Sequence, residues 1–359
     1  MKILYGVQGT GNGHITRARA MAKAFAARPD AEVDYVFSGR DKHKYFDMDP
    51  FGDYASFRGL TFRHKAGKIS PTATIKSNKL LRLLQDVKNL SVADYDLVVT
   101  DFEPITAWAG KLARKPVIGV GHQYAFRHKI PKKGDSWAAN TVMNMFAPVS
   151  LGLGLHWHHF GAPILPPIAD TNDADQEIEP DKILVYLGFE APDKVIDMLS
   201  QISGYRFFYY GEFEKAHTQG SIHFRPLSRD GFQRDLATAS GVICNAGFEL
   251  ASEALELGKK LLVKPLFGQM EQLSNAQALK ELQLGSVMQK LDASVVEDWL
   301  ANQPNVKIHY PNVAGAIVNW LLNGEWTDAT RLELCQMLWS GVHTADIDNY
   351  SKIEQLAVG

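Results

Sequence analysis

The stretch that decides the fold is Gly241-Val-Ile-Cys-Asn-Ala-Gly-Phe-Glu-Leu-Ala-Ser-Glu-Ala-Leu-Glu-Leu-Gly258, which continues as Lys259-Lys-Leu-Leu-Val-Lys-Pro-Leu-Phe-Gly-Gln-Met-Glu-Gln-Leu-Ser-Asn-Ala276. Its pattern predicts strand, tight turn, helix, strand, loop and helix. The first strand ends at Cys244, and Asn245-Ala-Gly247 forms the turn. Leu250, Ala251, Ala254, Leu255 and Leu257 then recur at helical spacing until Gly258 stops the helix. A turn of this kind aims free backbone N–H groups at one point. Glycine lets a ligand approach the backbone, and the positive end of the helix favours an anion, so a diphosphate is the natural guest.

Asn245, Gly247 and Glu253, followed by Pro265, Glu271-Gln272 and Asn275-Ala276, resemble the donor-binding signature of GT-B fold glycosyltransferases that use nucleotide-diphosphate sugars. The likeness extends to the peptidoglycan N-acetylglucosaminyltransferase, the UDP-dependent glucosyl and glucuronosyl transferases, and a less characterised group of bacterial and archaeal GT-B proteins. It implies that Glu253 accepts hydrogen bonds from ribose hydroxyls and that the turn of Asn245, Ala246, Gly247 and Phe248 holds the diphosphate. It also implies that Gln269, Glu271 and Gln272 reach the hexose hydroxyls. Residue chemistry agrees, since an ionised carboxylate accepts from two hydroxyls and an amide both donates and accepts. Two departures from the pattern involve three positions. Asn245 stands where plant-type relatives have histidine, and Glu249 and Leu250 stand where relatives often place a small hydroxyl residue. A carboxylate repels a diphosphate, so Glu249 is expected to point away or to meet a sugar hydroxyl.

At 359 residues the chain is too long for one ordinary core, and 45% hydrophobic with 22% charged residues is the balance of a soluble globular protein. Two domains are expected. The two cysteines, Cys244 and Cys335, fall on a buried strand and a C-terminal helix, which argues against a disulfide framework and for a reducing compartment. The N-terminus enters strand Lys2–Val7 without a leader pattern, and no run of about 18 apolar residues occurs, so a cytoplasmic protein is expected. The net charge of −2 is uneven: residues 1–165 carry 23 Lys+Arg against 13 Asp+Glu, and residues 166–359 carry 15 against 27. A basic half suits an anionic acceptor or peripheral contact with an anionic inner membrane surface, and equally suits plain solubility. No nucleic-acid motif accompanies the charge, which argues against that partner.

Strand Lys2–Val7 runs into Gln8-Gly9-Thr10-Gly11-Asn12-Gly13-His14, after which Ile15–Phe25 reads as a helix. The glycines at 9, 11 and 13 miss the dinucleotide fingerprint, and the next strand ends in Ser38-Gly39-Arg40 rather than an acid. The loop is instead similar to the N-terminal glycine loop of the same transferases, which implies that Gly11, Asn12 and Gly13 face the acceptor and that His14 is the general base. An imidazole can take a proton from a sugar hydroxyl as the C–O bond forms. Capping of the helix, or binding of the acceptor without proton transfer, is the alternative for His14. Strand Tyr95–Thr100 stops at Asp101-Phe-Glu103-Pro104, so Asp101 or Glu103 can support that base, with helix capping the alternative for Asp101. The strand Pro116–Val120 ends in Gly121-His122-Gln123, and His122 and Gln123 are expected to line the acceptor side. A basic region over residues 54–95 holds Arg58, Arg63, His64, Lys65, Lys68, Lys76, Lys79 and Arg82. Leu80, Leu83, Leu84 and Val87 recur there at helical spacing. Phe126–Lys133 with Trp137, Met143, Met145 and Phe146 mixes basic and bulky apolar residues, a pattern that fits helix core and solvated loop better than membrane contact. His156 and His158 alternate along an expected strand without the companions of a metal site, and no metal is expected.

Prolines and the acidic run Asp170–Asp181 mark a linker. Strand Lys182–Leu187 opens the second domain, and Gly188 and Phe189 form a turn which in the family approaches the donor phosphates. Ser221–Phe224 is another strand, after which Arg225–Ser228, with Arg225 and Leu227 foremost, stands where relatives clasp the nucleotide base. The expected architecture is α/β, with two Rossmann-like domains facing a cleft: 1–165 on the acceptor side, 166–330 on the donor side, and 331–359 crossing back onto the first domain. The resemblance implies a hexose transferred from a nucleotide-diphosphate sugar, UDP-linked by preference, to a saccharide, lipid-linked or other hydroxyl acceptor. Inversion at the anomeric carbon, no cofactor and no metal go with it. A UDP-N-acetylglucosamine 2-epimerase type of enzyme and a non-catalytic nucleotide-sugar-binding protein remain open alternatives.

Overall fold

The computed structural model describes residues 1–60, 64–65, 68–69, 80–134, 145–169, 171 and 176–344. Arg63, Lys76, Lys79, Trp137, Met143, parts of the acidic linker and the tail from 345 lie outside them. So do the side chains of His64, Lys65, Lys68 and Leu80.

Two seven-stranded sheets form the frame. The first is wholly parallel and runs Ala55–Phe57, Glu32–Ser38, Lys2–Gln8, Leu97–Asp101, Val117–Gly121, Leu151–Leu155, Ile164–Leu165. Its central strands are almost continuously apolar because helices cover both faces. The second runs His217–Gln219, Ile222–Pro226, Arg206–Gly211, Glu179–Tyr186, Ala239–Asn245, Lys260–Lys264, Ser286–Val287. Only its first pair is antiparallel. These are the two Rossmann-like halves of the expected architecture.

In each sheet the strand order reverses beside the first strand of the half, and ligand crevices open at such switch points. In the first sheet the reversal separates Lys2–Gln8 from Leu97–Asp101, so the glycine loop and Asp101 emerge side by side. In the second it separates Glu179–Tyr186 from Ala239–Asn245, which brings Gly188-Phe189 next to the Asn245 turn. Helices Asn12–Ala26 and Phe248–Glu256 then pack against each other, so the two crevices face one another.

The chain crosses back earlier than position 331. Helix Val313–Asn323 already packs on helix Asn12–Ala26 of the first half, with Arg28 hydrogen-bonded to Asn319. Helix Asp328–Ser340 follows, where Arg331 donates to the Gly152 carbonyl at 3.3 Å and Trp339 to the Ile164 carbonyl at 2.6 Å. Ile317, Leu321, Leu334 and Leu338 are buried there. Both cysteines are free and buried. Among the described residues no helix is long and apolar enough to cross a membrane.

Candidate functional site

Helix Asn12–Ala26 starts after Gly11 with no side chain capping it, and His14 stands in its first turn. His14 Nδ1 lies 2.8 Å from Asp101 Oδ1. Arg17, one helical turn further on the same face, donates to both oxygens of Asp101 at 2.8 and 2.7 Å. Asp101 is wholly buried. Burial pushes its carboxyl up, but the charge of Arg17 and the contact with His14 outweigh that and hold it below its ordinary range. Arg17 Nη2 also stands 3.1 Å from His14 Nδ1, but the Asp101 oxygen is closer and an ionised carboxylate can only accept, so the inferred tautomer of His14 carries its proton on Nδ1 and presents a lone pair on Nε2. Capping belongs to Glu103, whose two oxygens accept from Ile105 N–H and Thr106 N–H at 2.9 and 2.7 Å. Ser38 and the Thr106 hydroxyl bind it too, and it is wholly buried. Of the two carboxylates offered for His14, Glu103 is thus occupied elsewhere, because every strong acceptor direction of its carboxylate is spent inside the first domain.

Arg17 also reaches across the cleft. Its Nη1 donates to Glu249 Oε1 in the first turn of helix Phe248–Glu256. Gly13 permits the approach, since a Cβ there would come within 2.9 Å of Glu249 Cγ. Glu249 thus turns from the helix terminus toward Arg17. Burial pushes its carboxyl up to about 7, against the pull of Arg17 and with the help of Asp101. A raised carboxyl means that the folded chain holds a proton the unfolded chain has released, so this group lowers stability as pH rises from about 4.5 to about 7. Glu249→Gln should flatten that part of the profile. Thermal melts of both proteins between pH 5 and 8 test it, and parallel curves would sink the assignment.

The turn at Asn245 is fixed by its own side chain. Asn245 Oδ1 accepts from Phe189 N–H at 3.3 Å and Nδ2 donates to the Lys264 carbonyl at 3.1 Å, tying both crevice turns together. Lys264 Nζ in turn pairs with Glu190 at 2.8 Å. Asn275 Nδ2 donates to the Ala246 carbonyl at 3.0 Å, and its oxygen lies 2.6 Å from His122 Nε2. Gly247 stands before the helix at φ −75° and ψ 155°, with no side chain capping the first turn. A Cβ built on Gly247 would meet nothing within 4 Å, so its glycine leaves open space in front of unsatisfied N–H groups. Glu253 is buried one turn beyond Glu249.

Gln123 Nε2 donates to Glu271 Oε1 at 3.1 Å, joining the end of strand Val117–Gly121 to helix Met270–Glu281. Gln269 precedes that helix, and its Oε1 is buried without a partner among the described residues. Gln272 differs, since its oxygen accepts from Leu266 N–H at 2.8 Å and pins the loop, leaving only its NH2 for a ligand. His122 is wholly buried. Its ring stacks on Phe248 at 4.0 Å and 4°, and its second nitrogen faces the Leu155 carbonyl at 2.8 Å, so it belongs to the seam between domains. Trp157 adds to that seam by donating to Ser252 Oγ at 2.9 Å. Asn12 bridges at the opposite end, 3.2 Å from the Tyr186 hydroxyl.

Arg225 lies over the Phe208 ring at 5.0 Å and 3.7 Å from Asp235, while Leu227 packs on the core and Ser228 caps helix Arg229–Thr238. His156 and His158 are in no strand, because Leu151–Leu155 ends just before them; both are buried and pushed down by burial, His158 to about 4. Among the described residues no cluster of His, Cys, Asp or Glu could hold a metal ion. The sequence reading passed over Arg17, although its spacing of three from His14 already put both on one helix face. It named Asn275 without giving it a role.

A family model described as glycosyl transferase family 1 matches residues 1–304. No curated protein matches the chain. Among solved structures, the spinosyn rhamnosyltransferase SpnG is 15% identical, with a TM-score of 0.58 over 90% of this chain and 100% of its own. The glycotransferase of kitacinnamycin is 13% identical, with a TM-score of 0.55 over 94% and 95% of the two chains. Arabidopsis thaliana UGT89C1, solved with UDP, is 11% identical, with a TM-score of 0.54 over 99% and 98%. At these identities the structural likeness speaks for the GT-B fold alone. Together with the family match across most of its length, it identifies the chain as an enzyme of glycosyl transferase family 1, a glycosyltransferase of GT-B fold.

Proposed function

We propose that the enzyme transfers a hexose from a nucleotide-diphosphate sugar, UDP-linked by preference, to an acceptor hydroxyl with inversion. The observation that carries this reading is the His14–Asp101 pair at 2.8 Å, on the domain facing the uncapped turn at Asn245–Phe248. His14 Nε2 takes the hydroxyl proton as the acceptor oxygen bonds to the anomeric carbon. The bond from that carbon to the diphosphate oxygen breaks, and the nucleotide leaves with the electron pair. Asp101 stabilises the imidazolium, and the N–H groups at the start of helix Phe248–Glu256 receive the departing charge. A single displacement inverts the centre, and the helix terminus supplies the positive potential that a metal provides in other transferases. Relatives of the same fold support the substrate class: SpnG has been solved with thymidine diphosphate and with spinosyn aglycone, and UGT89C1 with UDP. For the acceptor, a basic first half and exposed Leu81 and Leu84 beside Arg82 and Lys88 support one carrying negative charge or presented at an anionic surface.

Calorimetric titration with UDP, UDP-hexoses, dTDP-sugars and GDP-sugars tests the donor, followed by release of nucleotide from the tightest one. If no nucleotide binds, the donor reading is lost. Two variants probe the turn and the ribose. Gly247→Ser should leave the melting temperature nearly unchanged, because a Cβ there enters open space and serine suits the N-cap, yet weaken UDP by about tenfold or more by occupying the anion site. Equal UDP affinity in this variant would move the diphosphate elsewhere. Glu253→Ala should cost UDP about 1.5–3 kcal/mol, the range for hydrogen bonds to a charged group, and should abolish discrimination against 2′-deoxy-UDP. Discrimination that survives the substitution would free Glu253 from the ribose.

A further inference from the structure

Arg40 follows the strand Glu32–Ser38 and folds back over the glycine loop. Its Nε donates to the Gly9 carbonyl and its Nη2 to Asn12 Oδ1 at 3.1 Å. Asn12 in turn binds the Tyr186 hydroxyl of the second domain at 3.2 Å, just before Gly188-Phe189. The guanidinium therefore stands where the loop of one half meets the first turn of the other. It rests 5.3 Å over the Tyr45 ring. A guanidinium has five N–H groups, and the bonds to Gly9 and Asn12 use two of them, leaving a fork without an acceptor among the described residues.

No described carboxylate pairs with it. Burial lowers the pKa of Arg40, and only the Tyr45 and Tyr186 hydroxyls oppose that. The contrast at the same cleft is Arg17, which two carboxylates hold firmly charged. Arg127 is also lowered by burial, but it stands exposed over the Tyr124 ring, where water solvates it. A partly desolvated cation with no counter-ion is costly to keep, and a planar fork fits two oxygens of a phosphate or carboxylate. We propose that Arg40 is an anion-binding residue of the cleft, which takes a phosphate or carboxylate group of a substrate at the junction of the glycine loop and the Gly188-Phe189 turn. The anion has two possible sources, the diphosphate of the donor or an acidic group on the acceptor. The first source rests on the nucleotide-sugar reading, and the second does not.

Wild-type protein, Arg40→Gln and Arg40→Lys are titrated calorimetrically with UDP and uridine, and with inorganic phosphate both before and after saturation with UDP. If the donor supplies the anion, Arg40→Gln weakens UDP by about 10- to 100-fold, leaves uridine unchanged, and Arg40→Lys recovers part of the loss. If the acceptor supplies it, UDP is unaffected, while UDP-saturated wild type binds phosphate and UDP-saturated Arg40→Gln does not. Equal binding of both ligands by wild type and Arg40→Gln overturns the proposal. Should wild type bind no nucleotide, the donor reading fails by itself, and phosphate titration of the free proteins still decides Arg40. Should Arg40→Gln not fold, phenylglyoxal modification of wild type takes its place. Phosphate or UDP must protect the Arg40 peptide, as read by mass spectrometry, and modification at an undiminished rate overturns the assignment.

Discussion

Replacing His14 with alanine is expected to lower transfer by about 10²- to 10⁴-fold while UDP affinity stays nearly constant. On the proposed mechanism the imidazole acts on the acceptor hydroxyl and the other domain holds the nucleotide, so the loss belongs to kcat rather than to donor binding. Asp101→Asn should come close to the same loss with less change in shape. An amide placed 2.8 Å from His14 Nδ1 can donate to it, and the ring would then carry its proton on Nε2, where the lone pair is needed. The split between kcat and donor binding separates this from simple damage, because a misfolded variant would lose UDP affinity as well. A His14→Ala enzyme with wild-type kcat would remove the base from the mechanism and favour a nucleotide-sugar-binding protein whose histidine only contacts the acceptor.

The second large effect is on stability. Arg17→Met should cost about 3–5 kcal/mol, because it strands the buried Asp101 carboxylate that the guanidinium now neutralises and, above pH 7, leaves Glu249 without its cation as well. Against a typical total of about 5–15 kcal/mol this is a large fraction. The sign with pH follows from the chemistry. Without Arg17, Asp101 is no longer held below its ordinary range, so the folded variant retains protons that the unfolded chain releases. The deficit is therefore smallest in acid and grows as pH rises toward neutrality. Urea unfolding of wild type and variant at pH 5 and pH 7.5 measures both points, and adding Glu249→Gln to Arg17→Met should recover part of the loss. A deficit under about 1 kcal/mol at both pH values would show that water reaches these carboxylates.

The parts of the site that were legible in the sequence are those whose partners lie nearby in the chain. The strand, turn and helix from Gly241 to Glu256 and the glycine loop before His14 are contiguous units, and local spacing specifies them. Which carboxylate would meet His14 was left between Asp101 and Glu103, because both follow the same strand. The outcome depends on Phe102, whose φ of 52° turns the chain between them and sends Glu103 back to cap its own helix. Contacts between domains were beyond reach. Arg17 and Glu249 are 232 positions apart, and their pairing depends on how two separately folded sheets approach. Gln272 illustrates a different limit, since nothing in the spacing says whether an amide faces a ligand or, as here, a backbone N–H of the preceding loop. The early return of the chain at Val313 is hidden for a similar reason: an apolar helix face announces that it is covered, but not by which domain.

The return of helices Val313–Asn323 and Asp328–Ser340 to the first sheet sets a timetable for synthesis. A ribosome finishes the strand Ile164–Leu165 long before it reaches Ser340. At about 5–20 residues per second the interval is on the order of ten to thirty seconds. During that time the nascent first half has its strands but lacks the cover that Ile317, Leu321, Leu334 and Leu338 later provide. Folding from the N-terminus forward cannot be completed in order, and the half that emerges first is the half that must wait for helices made much later. A stop codon just past residue 304 would leave that wait permanent, with the apolar surface under both helices exposed.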